Sequence, residues 1–242
     1  MVEMPIEADP VKVVCGDCLD LLPSLDVPRG RRVVITDPPY GVTYQSNRTV
    51  GRGTKPITND GTRLSLALYR QVIPLLGARH VMWFTRWDAW PDVWATLGQS
   101  YPIRGLLVWD KGTPGMGDLS HWGPSYELIA SAGSGAISGG RDGSVLRHNT
   151  VPSAKRNHPT EKPVALIQYL IEKLTTADDV VVDPFAGSGT TAVAAALAGR
   201  RFWGCEIDPA YVAIAQRRVA ESLDEGLFAT AKTVSLFDGV EG

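Results

Sequence analysis

Cysteine is scarce in this chain of 242 residues, which contains only three. Two of them, Cys15 and Cys18, have the CxxC spacing of redox sites and of half of some zinc sites. No second pair follows, and a structural zinc site usually needs four ligands. An odd number of cysteines in an intracellular chain also argues against a disulfide framework. We therefore expect no metal site, and interpret the pair as one buried strand thiol and one small residue after a turn.

Long apolar runs are absent as well, since none approaches the ~18 residues that a membrane-spanning helix requires. Residues 1–7 are acidic where a secretory signal would be basic and then apolar. These two absences predict a cytoplasmic protein. A content of 44% hydrophobic and 21% charged residues is typical of a soluble globular protein. We expect residues 1–242 to form a single domain with no internal linker.

An excess of positive charge is missing too, because the formal net charge is -2. A protein held on nucleic acid by its overall charge would be strongly basic. Any binding of nucleic acid by this chain must therefore depend on local clusters of positive charge. Within residues 141–162, two acidic residues and two histidines accompany five basic residues: Arg141, Arg147, Lys155, Arg156 and Lys162. Such a cluster is more often a solvated face than a nucleic-acid site, and both interpretations stay open.

Short β-branched or aromatic runs alternate along the chain with stretches whose apolar residues recur at helical spacing. The runs predict seven strands: residues 11–15, 32–36, 80–85, 103–109, 127–131, 180–183 and 201–206. The helical stretches are residues 62–76, 87–97, 160–174, 190–198 and 209–221. This alternation predicts an α/β, Rossmann-like fold, with a seven-stranded, mostly parallel sheet and helices on both faces.

Helix starts support this interpretation, because Thr160 can cap a helix from Glu161 and Asp208 precedes Pro209 at a first helical position. Two stretches, residues 41–61 and 131–158, fit neither state. Connections of this length are usually functional loops or disordered. Three tryptophans would share one face of the 87–97 helix, and we expect core packing or a subunit interface there rather than base stacking: Trp87, Trp90 and Trp94.

A glycine-rich turn follows the predicted strand that ends in Asp183. Asp183 and the residues of this turn are expected to contact a cofactor: Asp183, Phe185, Ala186, Gly187, Ser188, Gly189 and Thr190. Glycines allow a ligand to approach the backbone, and Glu206, at the end of the next strand, can accept hydrogen bonds from both ribose hydroxyls. The third glycine of GxGxxG is missing, which disfavours a dinucleotide. S-adenosylmethionine, with its sulfonium, ribose and adenine, fits such an acid-flanked pocket.

A second turn, Asp37-Pro38-Pro39-Tyr40, follows the strand at residues 32–36. The carboxyl end of a strand in an open α/β sheet is where ligands bind. If the Asp37 carboxylate and the Pro38 carbonyl accept the N–H groups of a base amino group, its lone pair can be aimed at a methyl donor. The prolines keep that carbonyl in place, and Tyr40 offers a stacking face. Alone, the tetrapeptide fits a structural turn with a core tyrosine equally well.

Both turns together, with the Asp-Pro-Pro-Tyr turn first, resemble the amino-group DNA methyltransferases of the β arrangement, whose motif order is circularly permuted. The resemblance covers most of the chain and implies the fold of an S-adenosylmethionine-dependent methyltransferase. In the segment around Gly16 and Asp17, it implies that Asp17 lies near the cofactor adenine. Residues 158–164 are similar to the family's His-Pro-Thr-x-Lys-Pro motif. The resemblance implies that Thr160 and Lys162 lie close to the methionine carboxylate of the cofactor. Alternatively, Thr160 is a helix cap and Lys162 a solvated first-turn residue.

The resemblance further implies methyl transfer to the N6 of a flipped-out adenine in double-stranded DNA, because Asp at the first motif position is more typical of adenine enzymes. Transfer to N4 of cytosine is the nearest alternative. Methylation of RNA or of a protein glutamine is a further alternative, although those families usually place the cofactor turn first. An inactive fold that serves as a DNA-binding module is the last.

Sequence recognition is where the chain departs from larger relatives, which insert a recognition domain before the His-Pro-Thr motif. Here only residues 132–157 are available for that purpose. Recognition must then come from short loops or from a second subunit, or else be weak. We predict DNA contacts from loops 41–61 and 131–158, through six basic residues: Arg48, Arg52, Lys55, Arg147, Lys155 and Arg156. Family members of this arrangement often pair through their central helices, so the resemblance also implies a homodimer.

Overall fold

The structure is a computed structural model that describes residues 10–39, 62–113, 122–123, 125–152 and 161–237. Within these ranges eight strands form one sheet: β1 (Val11–Cys15), β2 (Arg32–Thr36), β3 (His80–Thr85), β4 (Ile103–Asp110), β5 (Tyr126–Gly133), β6 (Val145–Arg147), β7 (Val180–Asp183) and β8 (Arg201–Glu206). The helices are α1 (Cys18–Leu21), α2 (Thr62–Leu76), α3 (Trp90–Leu97), α4 (Val164–Leu174), α5 (Thr190–Leu197) and α6 (Pro209–Phe237).

The strand order is β1-β8-β7-β2-β3-β5-β4-β6. Only β5 runs antiparallel to its neighbours β3 and β4, and the remaining pairs are parallel. Every residue of β2 and of β7 is buried, as expected for central parallel strands covered on both faces. The predicted α/β fold with a mostly parallel sheet is therefore confirmed.

Apolar side chains pack on both faces of the sheet. On one face, residues of α4, α5 and α6 such as Leu166, Ala192 and Val212 join a core with β2 and β7. On the other, Tyr69 of α2 and Val93 of α3 pack with α1 and the opposite sides of the same strands. None of the described helices is long and apolar enough to span a membrane.

The described residues contain eight strands, one more than the seven that were predicted. Segment 131–158, predicted to have no regular structure, begins with the end of β5 and contains β6, which pairs in parallel with β4. Periodicity does not reveal β6 because it is only three residues long. The other seven strands lie where they were predicted, with ends extended by at most two residues in β4 and β5.

The predicted cap at Thr160 was wrong, because α4 begins at Val164 with Pro163 in extended geometry as its N-cap residue. A proline disfavours the helical region for the residue before it, so a helix that runs through Lys162 into Pro163 is disfavoured. Thr160 itself lies outside the described residues. The start of the last helix at Pro209 is confirmed, and the Asp208 carboxylate accepts a 2.8 Å hydrogen bond from the Ala210 N–H.

Two smaller predictions also require correction. Helix α3 begins at Trp90, so Trp87 is not part of it, and Trp87 and Trp94 are both exposed, so core packing was wrong for these two residues. The alternative of a subunit interface stays a prediction. The cysteine pair is reversed relative to expectation. Cys15 at the end of β1 is exposed, whereas Cys18 in α1 is buried.

Candidate active site

The carboxyl ends of β1, β8, β7 and β2 lie side by side at one edge of the sheet. Asp37 follows β2, Asp183 ends β7 and Glu206 ends β8, so both predicted turns lie at this edge. The permuted motif order is accommodated because β2 pairs directly with β7, although the two strands are far apart in sequence. Such an edge is where open α/β sheets bind ligands.

Asp183 holds the two turns together. Its carboxylate accepts hydrogen bonds from the hydroxyl of Thr36 (2.7 Å), the hydroxyl of Thr191 (2.7 Å) and the N–H of Phe185 (3.1 Å). The side chain is buried, and burial raises the pKa of Asp183 to about 6 although these hydrogen bonds oppose the shift. The donors come from β2, from the glycine-rich turn and from α5. Asp183 therefore positions the site, and its predicted contact with the cofactor stays a prediction.

Glu206 is held at the edge by two backbone donors. Its Oε2 atom accepts a 2.9 Å hydrogen bond from the N–H of Gly187, and Oε1 accepts one of 2.9 Å from the N–H of Asp208. Each carboxylate oxygen retains a further lone pair after these bonds. The geometry is compatible with the predicted ribose contacts, since the half-buried side chain borders the glycine-rich turn.

The glycine-rich turn requires glycine at one position in particular. Gly189 has a φ of +83°, and a Cβ atom there would lie 2.5 Å from the Cβ of Ala215 in α6. Gly187 also has a positive φ, of +50°. The turn therefore lies tightly against α6 at Gly189, which is buried. At Gly187 nothing lies within 4 Å of the position of a Cβ atom, so this residue leaves room for a ligand to approach the backbone.

Arg218 of α6 connects this turn to the segment before α4. Its guanidinium donates to the carbonyl (2.7 Å) and hydroxyl (3.1 Å) of Ser188 and to the Glu161 carboxylate (2.5 Å). The Glu161 side chain is buried. Arg218 could not be identified from the sequence, because an arginine in an amphipathic helix gives no sign of which partner it has across the fold.

Asp37 of the first turn is paired with Lys162. The Lys162 ammonium lies 2.6 Å from Oδ2 of Asp37 and 3.0 Å from Oε2 of Glu127 in β5, and 5.4 Å from the centre of the Phe84 ring. Lys162 is buried, so the alternative of a solvated residue in the first turn of a helix is wrong. Its predicted place beside the methionine carboxylate stays a prediction, whereas its contact with Asp37 was not anticipated.

The backbone of the first turn is held by Tyr69 of α2, which the sequence analysis also missed. Its hydroxyl donates a 2.6 Å hydrogen bond to the Pro39 carbonyl. The Tyr69 ring packs edge-on against Trp83 at 5.0 Å, and Trp83 packs edge-on against Phe185 at 6.3 Å. A continuous row of aromatic rings therefore connects the Asp-Pro-Pro turn to the glycine-rich turn.

Asp17 lies beside the same edge. Its side chain caps α1 by accepting a 2.9 Å hydrogen bond from the N–H of Leu19. The preceding Gly16 donates its N–H to the Glu206 carbonyl at 2.9 Å. The Gly-Asp segment and the Glu206 strand end are therefore adjacent, while the expected contact of Asp17 with an adenine stays a prediction.

Several predicted residues lie outside the described residues: Tyr40, Arg48, Arg52, Lys55, Lys155, Arg156 and Thr160. Arg147 is described. Its side chain in β6 is 84% exposed and lies 3.5 Å from the Asp110 carboxylate at the end of β4. That exposure leaves its guanidinium accessible to a ligand.

Comparison with known proteins identifies the family. A family model described as DNA methylase (N6_N4_Mtase) matches residues 82–217. The chain is also 30% identical over 218 residues to the putative methylase YubD of Escherichia coli K12, a match that covers 86% of this chain and 90% of the relative. The chain belongs to the N6_N4_Mtase family of DNA methylases. It is therefore a DNA methyltransferase of the class that modifies base amino groups, and the predicted family is confirmed.

Further similarities agree with membership of this methylase family. The DNA adenine methyltransferase YhdJ of Escherichia coli K12 is 24% identical over 243 residues, covering 86% of this chain and 82% of that relative. The crystal structure of the M1.HpyAVI–SAM complex has a TM-score of 0.65 at 21% identity and covers 86% and 98% of the two chains. The methyl donor of the family is S-adenosylmethionine, which confirms the predicted cofactor.

Proposed function

We propose that this DNA methylase transfers the methyl group of S-adenosylmethionine to the N6 amino group of adenine in double-stranded DNA. The observation that carries the proposal is the adjacency of the two turns. Thr36, the residue before Asp37, donates its hydroxyl to Asp183, the residue before the glycine-rich turn, at 2.7 Å. A base amino group held by the first turn would therefore lie next to a methyl donor held by the second.

The residues of the glycine-rich edge fit the cofactor. Gly187 leaves room for a ligand to approach the backbone, and Glu206 retains lone pairs for two ribose hydroxyls. In this proposal, Asp17 and the residues Phe185 to Thr190 line the adenosine part. Thr160 and Lys162 lie toward the methionine carboxylate. When bound, S-adenosylmethionine supplies an electrophilic methyl group.

Asp37 and the Pro38 carbonyl would accept the two N–H groups of the amino nitrogen and aim its lone pair at the methyl group. The nitrogen would form its bond to the methyl carbon as the bond from that carbon to the donor's sulfur breaks, which leaves a neutral thioether. The methylated nitrogen would then lose a proton to water or to Asp37. A carboxylate fixed by Lys162 and a turn fixed by Tyr69 need no reorganisation during this step, which is how preorganised polar groups accelerate reactions.

A base inside a duplex cannot reach this turn, so the target base would be flipped out at a cost of a few kcal/mol. Tyr40 would stack on the flipped base and offset part of that cost. We propose that one domain, residues 1–242, performs these steps, with loops 41–61 and 131–158 or a second subunit contacting DNA.

Adenine is preferred over cytosine on two grounds. Asp stands at the first position of the Asp-Pro-Pro-Tyr motif, and a relative that covers most of the chain is named a DNA adenine methyltransferase. The same turn chemistry serves N4 of cytosine, and the family includes both activities. N4-cytosine methylation is therefore the second candidate.

The test uses the purified full chain, unmethylated duplex DNA and labelled S-adenosylmethionine, followed by digestion to nucleosides and mass spectrometry. We expect labelled N6-methyladenine. N4-methylcytosine without N6-methyladenine would refute the adenine assignment, and label in RNA or protein but not in DNA would favour the third alternative. Calorimetric binding of the cofactor without transfer to any of these substrates would indicate an inactive binding module.

A further inference from the structure

Four charged side chains of alternating sign form a row at the catalytic edge. Asp37 follows β2, Lys162 precedes α4, Glu127 lies in β5 and Lys111 follows β4. Lys162 contacts both Asp37 at 2.6 Å and Glu127 at 3.0 Å, and Lys111 contacts the other oxygen of Glu127 at 2.7 Å. The row therefore connects the Asp-Pro-Pro turn to β5.

Burial makes the pairing in this row matter. The side chain of Lys162 is 5% exposed, and those of Glu127 and Lys111 are 17% and 18% exposed. A charge removed from water is costly unless it is paired and hydrogen-bonded. Because two cations alternate with two anions, the row is neutral as a whole, and removing any one member leaves a net buried charge.

Both inner members of the row are ionised. Burial would lower the pKa of Lys162, but the facing carboxylates of Asp37 and Glu127 raise it above its ordinary value. Burial would likewise raise the pKa of Glu127, but Lys162 and Lys111 lower it below its ordinary value. From β3, the neighbouring side chain is the uncharged Phe84 ring at 5.4 Å.

We propose that Glu127 is a positioning residue for methyl transfer, which holds Lys162 between two carboxylates so that Asp37 keeps the negative charge needed to accept the base amino group. The argument rests on the function proposed above. An ammonium paired with Asp37 alone would draw most of that carboxylate's hydrogen-bonding capacity to itself. Sharing the ammonium with Glu127 leaves Asp37 the stronger acceptor, while Lys162 still fixes its orientation.

The first test needs neither cofactor nor DNA. The titration of Lys162 is followed by the ¹³C shift of its Cε atom in the wild type and in Glu127→Gln, with Lys162→Gln used to assign the signal. Loss of one of two facing carboxylates should move this titration down by about one pH unit, a tenfold change in proton affinity. Lys111→Gln should move it upward, because Glu127 would then act on Lys162 alone. If the Lys162 titration has the same midpoint in both variants as in the wild type, the proposal is overturned.

The second test measures the reaction. In single-turnover transfer to duplex DNA, Glu127→Gln should lose about tenfold in rate, and the alkaline limb of its pH profile should move to lower pH. The calorimetric dissociation constant for S-adenosylmethionine should stay within about threefold. Glu127→Asp should recover part of the rate. The matched control is Glu221→Gln, which removes an exposed glutamate that pairs with the exposed Arg217, and it should behave as wild type.

The outcomes separate the two proposals. No methyl transfer by the wild type to any DNA would refute the proposed function, whatever the titration shows. An active wild type with an unchanged rate and pH profile in Glu127→Gln would refute the positioning role alone. If Glu127→Gln fails to fold by thermal melting, Glu127→Asp and Lys111→Gln still test the role. The Lys162 titration must then move to higher pH in Lys111→Gln, and Glu127→Asp must lose part of the transfer rate, or the proposal is wrong.

Discussion

The hydroxyl of Thr36 donates a 2.7 Å hydrogen bond to the carboxylate of Asp183, across the parallel pair of β2 and β7. Both side chains are buried, so the bond is shielded from water. Each residue stands directly before one of the two functional turns. The bond therefore fixes the distance between the turn that would hold the base and the turn that would hold the methyl donor.

Asp183 should make folding stability depend on pH in an unusual direction. Burial raises its pKa from 3.8 to about 6, so the folded state disfavours the ionised form. Its contribution to the free energy of unfolding is fully present below pH 4 and is lost as pH rises toward about 6. Asparagine cannot ionise, so Asp183→Asn should abolish this loss in the free energy of unfolding, which is about 3 kcal/mol at most.

Urea unfolding at pH 4 and pH 7 measures the effect, provided that the variant retains its far-ultraviolet circular dichroism. The exposed Asp26→Asn serves as control, since the same chemical change on the surface should leave the pH dependence of stability as in the wild type. An identical pH dependence in Asp183→Asn and the wild type would contradict the prediction.

Asp37→Ala should abolish turnover yet leave cofactor binding nearly intact, because Asp37 is proposed to bind the base and not the methyl donor. Rate is measured by labelled methyl transfer and affinity by calorimetry. Asp88→Ala, at an exposed aspartate that pairs with Arg86, is the control. Equal loss of transfer and of cofactor affinity in Asp37→Ala would undo this assignment of roles.

The strands could be predicted well from the sequence because each is a β-branched or aromatic run that ends in a polar or turn residue. Strand β6 could not be predicted, because three residues are too few to show a periodic pattern. The two turns could be located because their residue types match their chemistry. The contacts that fix them could not, because Arg218 and Glu161 are 57 positions apart and Tyr69 and Pro39 are 30 apart. Only the folded sheet brings such pairs together.

Tyr69→Phe should slow methyl transfer by roughly tenfold without weakening cofactor binding, because it removes the 2.6 Å bond that fixes the Pro39 carbonyl. The ring and its packing on Trp83 are preserved. Tyr101→Phe is a matched control, since it also loses a hydrogen bond to the backbone, at Ala78, away from both turns. Both variants should lose about 1 kcal/mol of stability, but only Tyr69→Phe should lose rate.

Arg218→Met should weaken S-adenosylmethionine binding by roughly tenfold, because Ser188 loses two hydrogen bonds and the buried Glu161 carboxylate loses its cation. The neighbouring Arg217→Met is the control. Arg217 is exposed and pairs with Glu221 at 3.6 Å, a contact of little energetic weight. Calorimetry distinguishes the two variants, and equal affinities would contradict the proposed role of Arg218.

The last prediction concerns DNA. If segment 131–158 contacts phosphates, replacing Arg147, Lys155 and Arg156 with Ala should weaken DNA binding. The slope of log affinity against log salt concentration should become less steep, by up to about three. Cofactor affinity should not change, because Arg147 lies on β6 at the far end of the sheet from β8. The control variant replaces Arg200 and Arg201 with Ala. Arg200 donates hydrogen bonds to Thr175 and Ala198, and Arg201 donates one to Asp178. Fluorescence anisotropy at several salt concentrations measures the DNA affinity and its salt slope. An unchanged slope in the triple variant would refute DNA contacts by this segment.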